Sequence, residues 1–231
     1  KLEGTSTVYR VKTREIGGVC KDLVVKWCRV GETVPFDTFT FSKFVEAEFN
    51  SPYEEFSLVM EMRDRSGAHP IRTHRPLAIY VPRKFVAGEQ LGRRRHRMEA
   101  IQRSHDEIEI DWNRNYAVVY EWMKGIDAVE ACRKGLIDSA SIALLIRRAS
   151  EDMASKGFMV SDNKPQHIIV RPNSDGELAK DRAGKLLYGL IDFELLRRTP
   201  ERERLIRARK RHNYLIRQSR RFESQEKFPQ N

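Results

Sequence analysis

Residues 7–12 (TVYRVK) alternate apolar and polar side chains, which predicts a strand. A turn at Gly17-Gly18 separates it from residues 23–28 (LVVKWC). That run is nearly all apolar with one lysine inside it, and it predicts a buried strand with a functional reason to hold Lys26. Ser51-Pro52-Tyr53-Glu54 carries a helix start: serine as cap, proline in the first turn, and glutamate three residues after the cap. The helix is expected to run to about Arg65 and stop at Gly67. Residues 76–82 (PLAIYVP) and 116–123 (YAVVYEWM) predict two more strands, and the arginine-rich stretch between them, 83–115, reads as an exposed insertion. Residues 139–156 place Ile142, Leu145, Ile146 and Met153 at helical spacing, with Ser139 as cap and Gly157 as stop. Two short β-rich pieces, 167–170 and 186–191, flank a polar stretch with Asn173-Ser174-Asp175-Gly176, as in a hairpin with a long loop. Residues 200–220 predict a basic helix. The order is strands, helix, strands, then helix, hairpin, helix, which is α+β with a break near 124–127. The expected parts are 1–123, 124–196 and a basic segment, 197–231.

Charge changes this picture mainly at one end. The 231 residues carry a net charge of +10. Between Arg197 and Arg221, ten arginines and Lys210 face only Glu201 and Glu203, a surplus of nine. The body before Arg197 is therefore close to neutral. Three readings stand for the basic segment: a solvated helix, a surface for RNA phosphates, or a surface for acidic protein or anionic lipid. Its sparse aromatics argue against base stacking. No apolar run approaches the roughly 20 residues that cross a bilayer, and the polar first residues predict no signal peptide. Cys20, Cys28 and Cys132 form no CxxC pair and no zinc-ligand spacing. They fit a reducing, cytoplasmic compartment and read as small core side chains.

Candidate chemistry concentrates in a few acidic and basic residues. An aspartate that ends an apolar strand, as in Leu190-Ile191-Asp192-Phe193-Glu194, is costly without a cation partner. Asp162-Asn163-Lys164-Pro165-Gln166-His167-Ile168-Ile169 follows one helix and opens the hairpin. It resembles the protein-kinase catalytic loop, D-x-K-P-x-N before two aliphatics. Val24-Val25-Lys26 is similar to the kinase V-A-I-K strand, and Asp192-Phe193-Glu194 to D-F-G with glutamate in place of glycine. The I-D-F-E form also resembles small-molecule and lipopolysaccharide kinases.

The resemblance implies a two-lobe, protein-kinase-like fold with an antiparallel N-terminal sheet and a truncated helical second lobe. It implies ATP and Mg²⁺ as cofactors. Lys26, steadied by Glu55, would bind phosphates beneath a cover that includes Gly4 and Ser6. The backbones of Glu121 and Met123 would hold adenine, with Tyr120 as gatekeeper. Asp192, with His167, would hold the metal. Asp162 would be the base, and Lys164 would shield the transferred phosphate. Four departures qualify the pattern. The cover Gly4-Thr5-Ser6-Thr7-Val8-Tyr9 has one glycine and resembles that of RIO-type kinases. His167 stands where kinases place asparagine, which leaves one metal, Mn²⁺ in place of Mg²⁺, or low activity open. Val160-Ser161 replaces His-Arg, and no A-P-E follows Asp192. The expected function is an ATP-dependent phosphotransferase acting on a hydroxyl. Lys164-Pro165 points to a protein Ser/Thr substrate, and Asp-Phe-Glu to a small molecule or lipopolysaccharide. A pseudokinase scaffold is the rival reading.

Overall fold

The computed structural model describes residues 1–2, 6–15, 17–34, 47–64, 71–104 and 109–225; at 104, 214–215 and 217–225 it describes the backbone alone. Gly4, Arg65 and Gly67, which carried sequence expectations, lie outside the described residues.

The N-terminal part is an antiparallel sheet of β1 (Val8–Lys12), β2 (Asp22–Trp27), β3 (Pro76–Tyr80) and β4 (Ala117–Glu121), in the order β1-β2-β4-β3. Register sets Val8, Lys26 and Val118 in one row and Arg10, Val24 and Tyr120 in the next. Side chains alternate across a strand, so Val24, Lys26, Val118 and Tyr120 share one face, and all four are buried. Helix α1 (Pro52–Met62) packs on that face. Its start is the expected capping box: Glu54 N–H donates to Ser51 Oγ, and Ser51 N–H donates to Glu54 Oε2 at 2.9 Å. Tyr53 and Phe56 of α1 pack against the sheet cluster, while Leu58, Val59 and Met62 enter the second core. One helix thus serves as wall to both cores.

The stretch 83–115 is exposed at many of its described positions, but it also contributes to the core. It contains α2 (Arg95–Ser104), whose Met98 and Ile101 are buried with Val24, Cys28 and Tyr116. The arginine run hid this pattern because its first member turns inward. Arg93 is 4% exposed, and its Nη1 donates to the carbonyls of Asp111 and Trp112, at 3.0 and 2.6 Å.

The chain then passes through 122–125 into β5 (Ile126–Asp127), α3 (Ala128–Arg133) and α4 (Ser139–Ser155). Gly125 has φ +147°, and a Cβ there would lie 2.4 Å from the Val170 carbonyl, so only glycine passes at this point. Asp138, not Ser139, caps α4: its carboxylate accepts from Ser141 N–H at 2.8 Å. Both residue types suit a cap, and Asp138 is the one in the extended cap conformation. Strand β6 (Phe158–Val160), a 3₁₀ turn (Pro165–His167) and the hairpin β7 (Ile168–Val170) and β8 (Tyr188–Leu190) follow. Strand β9 (Leu196–Arg198) pairs with β6, so it runs across the expected division at 196/197. The basic helix is α5 (Pro200–Gln225). Leu145, Ala149, Met153, Phe158, Ile168 and Phe193 build the second core against α1.

Candidate functional site

The two parts meet at Lys26. Its ammonium lies 3.2 Å from Glu55 Oε1, 2.6 Å from Asp192 Oδ1 and 3.4 Å from Glu194 Oε2, with the side chain 4% exposed. Strand alternation turns Lys26 to the α1 face, and Glu55 stands one turn into α1, so the pair forms where sheet and helix touch. Burial alone would lower the Lys26 pKa, but the carboxylates of Asp192, Glu55 and Glu194 outweigh it and hold the group well above its ordinary value. Glu55 is 1% exposed, and burial pushes its pKa up against the pull of Lys26. Tyr120 supplies a second partner: its hydroxyl donates to Glu55 Oε1 at 2.5 Å.

Asp192 ends the apolar run of β8 at φ +63°, the one non-glycine residue with positive φ among the described residues. Aspartate tolerates this left-handed conformation better than most residues, and such strain gathers at functional sites. The turn splits its carboxylate: Oδ1 faces Lys26 and Oδ2 lies 3.4 Å from His167 Nε2. Burial would raise the Asp192 pKa, but Lys26 and then His167 reverse this and hold it well below the usual carboxylate range. His167 Nδ1 is 3.0 Å from the Asp162 carbonyl oxygen. A carbonyl can only accept, so Nδ1 carries a proton, and this contact turns Nε2 toward Asp192 Oδ2. Asp162 Oδ2 receives Lys164 Nζ at 2.8 Å. Asn163, between them, ties this loop to α4 by donating to Ser150 Oγ at 2.8 Å.

The structure therefore brings together Lys26, Glu55, Asp192 and His167, and links them to Asp162 and Lys164 through the 3₁₀ turn. Ser6 is buried, and its hydroxyl donates to Glu194 Oε2 at 3.1 Å. Glu121 N–H donates to the Arg75 carbonyl at 2.8 Å, and the Met123 side chain lies against Gly189, where an added Cβ would be 2.4 Å from Sδ. Met123 thus sits above the strand that leads to Asp192.

The donor set suits a metal that arrives with phosphate oxygens. Among the described residues no group of three or more His, Cys, Asp or Glu side chains forms a cage of its own. Yet one ammonium faces three carboxylates, and Asp192 Oδ2 points away from it. Mg²⁺ characteristically takes one or two carboxylates and completes its shell with phosphates and water.

Sequence reading missed His74 and the role of Glu194. His74 stacks on Tyr120 at 3.7 Å, 12° from parallel, and meets Phe193 edge-on. Burial lowers its pKa to about 3, so it is neutral at pH 7, and its Nε2 has no hydrogen-bond partner among the described residues. It wedges the Phe193 ring against the sheet, directly behind Asp192. No local pattern announces such a residue. A cavity of about 300 Å³ lined by Ser6, Thr7, Trp27, Arg29, Glu32 and Asn115 adjoins the end of the sheet. It contains neither Lys26 nor Asp192, so the candidate chemistry lies beside it, between the lobes.

A four-stranded antiparallel sheet, a helix that brings Glu55 to its central lysine, and a second lobe that presents Asp192 from a hairpin make this a divergent protein-kinase-like fold of α+β class. No family model matches the chain, and no curated protein matches it. Among solved structures it is similar to WbdD in a co-crystal with the kinase inhibitor LY294002, at 13% identity and TM-score 0.36, covering 82% of this chain and 33% of that one. A second WbdD crystal structure gives 15% identity and TM-score 0.37, covering 78% and 31%. The chain spans about a third of the length of these structures, and likeness at this level carries no weight for function.

Proposed function

We propose that the chain is an ATP- and Mg²⁺-dependent phosphotransferase acting on a hydroxyl. The buried ammonium of Lys26, shared by Glu55 and Asp192, carries this reading. Lys26 binds phosphate oxygens, and Glu55, itself held by Tyr120, fixes the ammonium. Asp192, helped by His167, would hold the metal, which would supply charge neutralisation on the phosphates. Asp162 accepts the proton as the acceptor oxygen bonds to the γ-phosphorus and the bond to the β-phosphate oxygen breaks. Lys164 shields the charge that develops. The chain passes from Asp192 into β9 within four residues. That leaves no extended segment there to lay out a peptide and favours a small hydroxyl-bearing acceptor over a protein Ser/Thr side chain.

The test follows γ-labelled ATP with Mg²⁺ or Mn²⁺, offering protein and small-molecule acceptors separately. Asp192→Asn is expected to remove transfer and hydrolysis, and Asp162→Asn to slow transfer by roughly 10²–10⁴. Turnover that survives Asp192→Asn, or no turnover at all, overturns the reading; nucleotide binding without turnover would leave the pseudokinase.

The exposed Arg204, Arg207, Arg209, Lys210 and Arg211 of α5 favour a phosphate polyanion as a further partner. At 100° per residue these five span an arc of about 220°, wider than a flat surface can engage and suited to a groove with phosphates on both walls. RNA affinity should fall steeply with salt, and charge reversal at Arg207, Lys210 and Arg211 should lower it at least tenfold. Unchanged affinity sinks the idea.

A further inference from the structure

Glu194 takes no part in the transfer step proposed above, yet three contacts converge on its carboxylate. Ser6 Oγ donates to Oε2 at 3.1 Å, Lys26 Nζ lies 3.4 Å from the same oxygen, and Arg29 Nη1 lies 3.7 Å from Oε1. The carboxylate side chain is 12% exposed. Its backbone is fixed as well, because the Glu194 carbonyl accepts from Asn50 N–H at 2.8 Å, immediately before the α1 cap.

These contacts join different parts of the molecule. Lys26 and Arg29 lie on β2 and just beyond it. Ser6 precedes β1, where Leu2 N–H donates to the Val8 carbonyl at 2.8 Å and Trp27 N–H to the Thr7 carbonyl at 3.0 Å. Glu194 is two residues past Asp192. A serine in a polar tract is 6% exposed here because its hydroxyl reaches across the cleft to this carboxylate. Charge-assisted hydrogen bonds of this kind are the stronger class, and partial burial protects this one from screening. A glycine at position 194 could make none of the side-chain contacts.

We propose that Glu194 is a positioning residue of the phosphate site, latching the Ser6 segment across the cleft and sharing Lys26 with Asp192. The inference rests on the phosphotransferase reading. The latch holds the backbone of Ser6 and Thr7 on the side of the cleft where Lys26 presents its ammonium. It therefore acts on nucleotide affinity and leaves the transfer step, which belongs to Asp162, largely alone.

The test combines Ser6→Ala, Glu194→Ala, Glu194→Gln and the double variant Ser6→Ala/Glu194→Ala. In the nucleotide-free protein, amide hydrogen exchange at Trp27, whose N–H donates to the Thr7 carbonyl, should quicken in Glu194→Ala. It should return toward wild type in Glu194→Gln, which keeps shape and a hydrogen-bond acceptor. With ATP and Mg²⁺, Ser6→Ala and Glu194→Ala should each raise KM for ATP roughly tenfold to a hundredfold, with kcat within about threefold. The double variant should match Glu194→Ala, since Ser6→Ala removes only a contact that Glu194→Ala already breaks. Additive effects, unchanged exchange, or a KM that falls would overturn the latch; a falling KM would mean that the contact obstructs the nucleotide. A wild-type protein without ATP turnover would defeat the phosphotransferase reading, while the exchange measurement would still decide whether the latch exists.

Discussion

Replacing Lys26 with methionine is expected to abolish ATP turnover and to cost about 3–5 kcal/mol of folding stability at neutral pH, the range for removing one partner of a buried ion pair. The stability loss comes from what remains. Glu55 is 1% exposed and loses its cation, keeping only the Tyr120 hydroxyl. Burial then drives the Glu55 pKa of the folded variant further above its unfolded value of about 4.3. The folded state holds a proton that the unfolded state has released, so stability falls as pH rises above the unfolded value and continues to fall through the folded one. Urea denaturation at pH 5 and pH 8 should show the larger loss at pH 8. Adding Glu55→Gln should remove most of that difference, because the neutral amide carries no buried charge. A Lys26→Met protein within about 1 kcal/mol of wild type at pH 8, or a loss independent of pH, would contradict the reading of Glu55 as a desolvated carboxylate held by Lys26.

How much of this was legible in the sequence depended on range. The α1 cap was readable because Ser51, Pro52 and Glu54 act within one turn. Lys26 stood out as a charge inside an apolar run, and Asp192 as a charge at the end of one; both anomalies demanded partners, and the fold supplies each with the other. The contacts that could not be read join residues far apart in the chain. Pairing of β6 with β9 depends on three-residue strands with no alternation to recognise. The stretch 83–115 misled because Met98 and Ile101 lie among arginines, one of which is buried by satisfying two backbone carbonyls. Ser139 and Asp138 were equally good caps by chemistry, and only backbone conformation chooses between them. His74 and Glu194 matter through what lies opposite them, which local pattern does not contain.

Helix α1 illustrates how such distant contacts position the site. Its start is tied to the second lobe by Asn50 Nδ2, which donates to the carbonyls of Phe193 and Leu196 at 3.1 and 2.8 Å. Its end is tied by Lys156 Nζ, which donates to the carbonyls of Met62 and Asp64 at 3.1 and 2.8 Å. A cation at a helix C-terminus also meets the negative end of the dipole. With both ends fixed, Glu55 is presented to Lys26 without any change in the position of α1, in keeping with a site that is assembled before nucleotide arrives.

The last turn of α1 is also held by the largest ionic cluster outside the site among the described residues, and breaking it should be the most damaging surface change. Glu61 receives two guanidinium groups: Arg198 Nε and Nη2 at 2.8 and 2.7 Å, and Arg202 Nε and Nη2, both at 2.9 Å. Glu203 bridges Arg198 at 3.0 Å and Arg207 at 3.1 Å. Each guanidinium grips one carboxylate oxygen with two nitrogens, Arg198 on Oε2 and Arg202 on Oε1, which fixes geometry as well as charge. Glu61 is 19% exposed and Arg198 25%, between the surface case, worth about 1 kcal/mol or less, and the buried case, worth about 3–5. Glu61→Ala is therefore expected to cost about 2–3 kcal/mol and lower Tm by roughly 4–12 °C. Glu61→Gln should recover part of this, because it still accepts from one guanidinium. The effect should reach the nucleotide, because Glu61 and Glu55 share one helix and the clasp sets where that helix lies. KM for ATP should rise in Glu61→Ala under conditions where the protein is fully folded. Unchanged stability would mean that β9 and the start of α5 hold α1 by apolar packing alone. A stability loss with unaltered KM would mean that Asn50 and Lys156 suffice to place Glu55, and that the basic segment is anchored to the fold without influence on its candidate site.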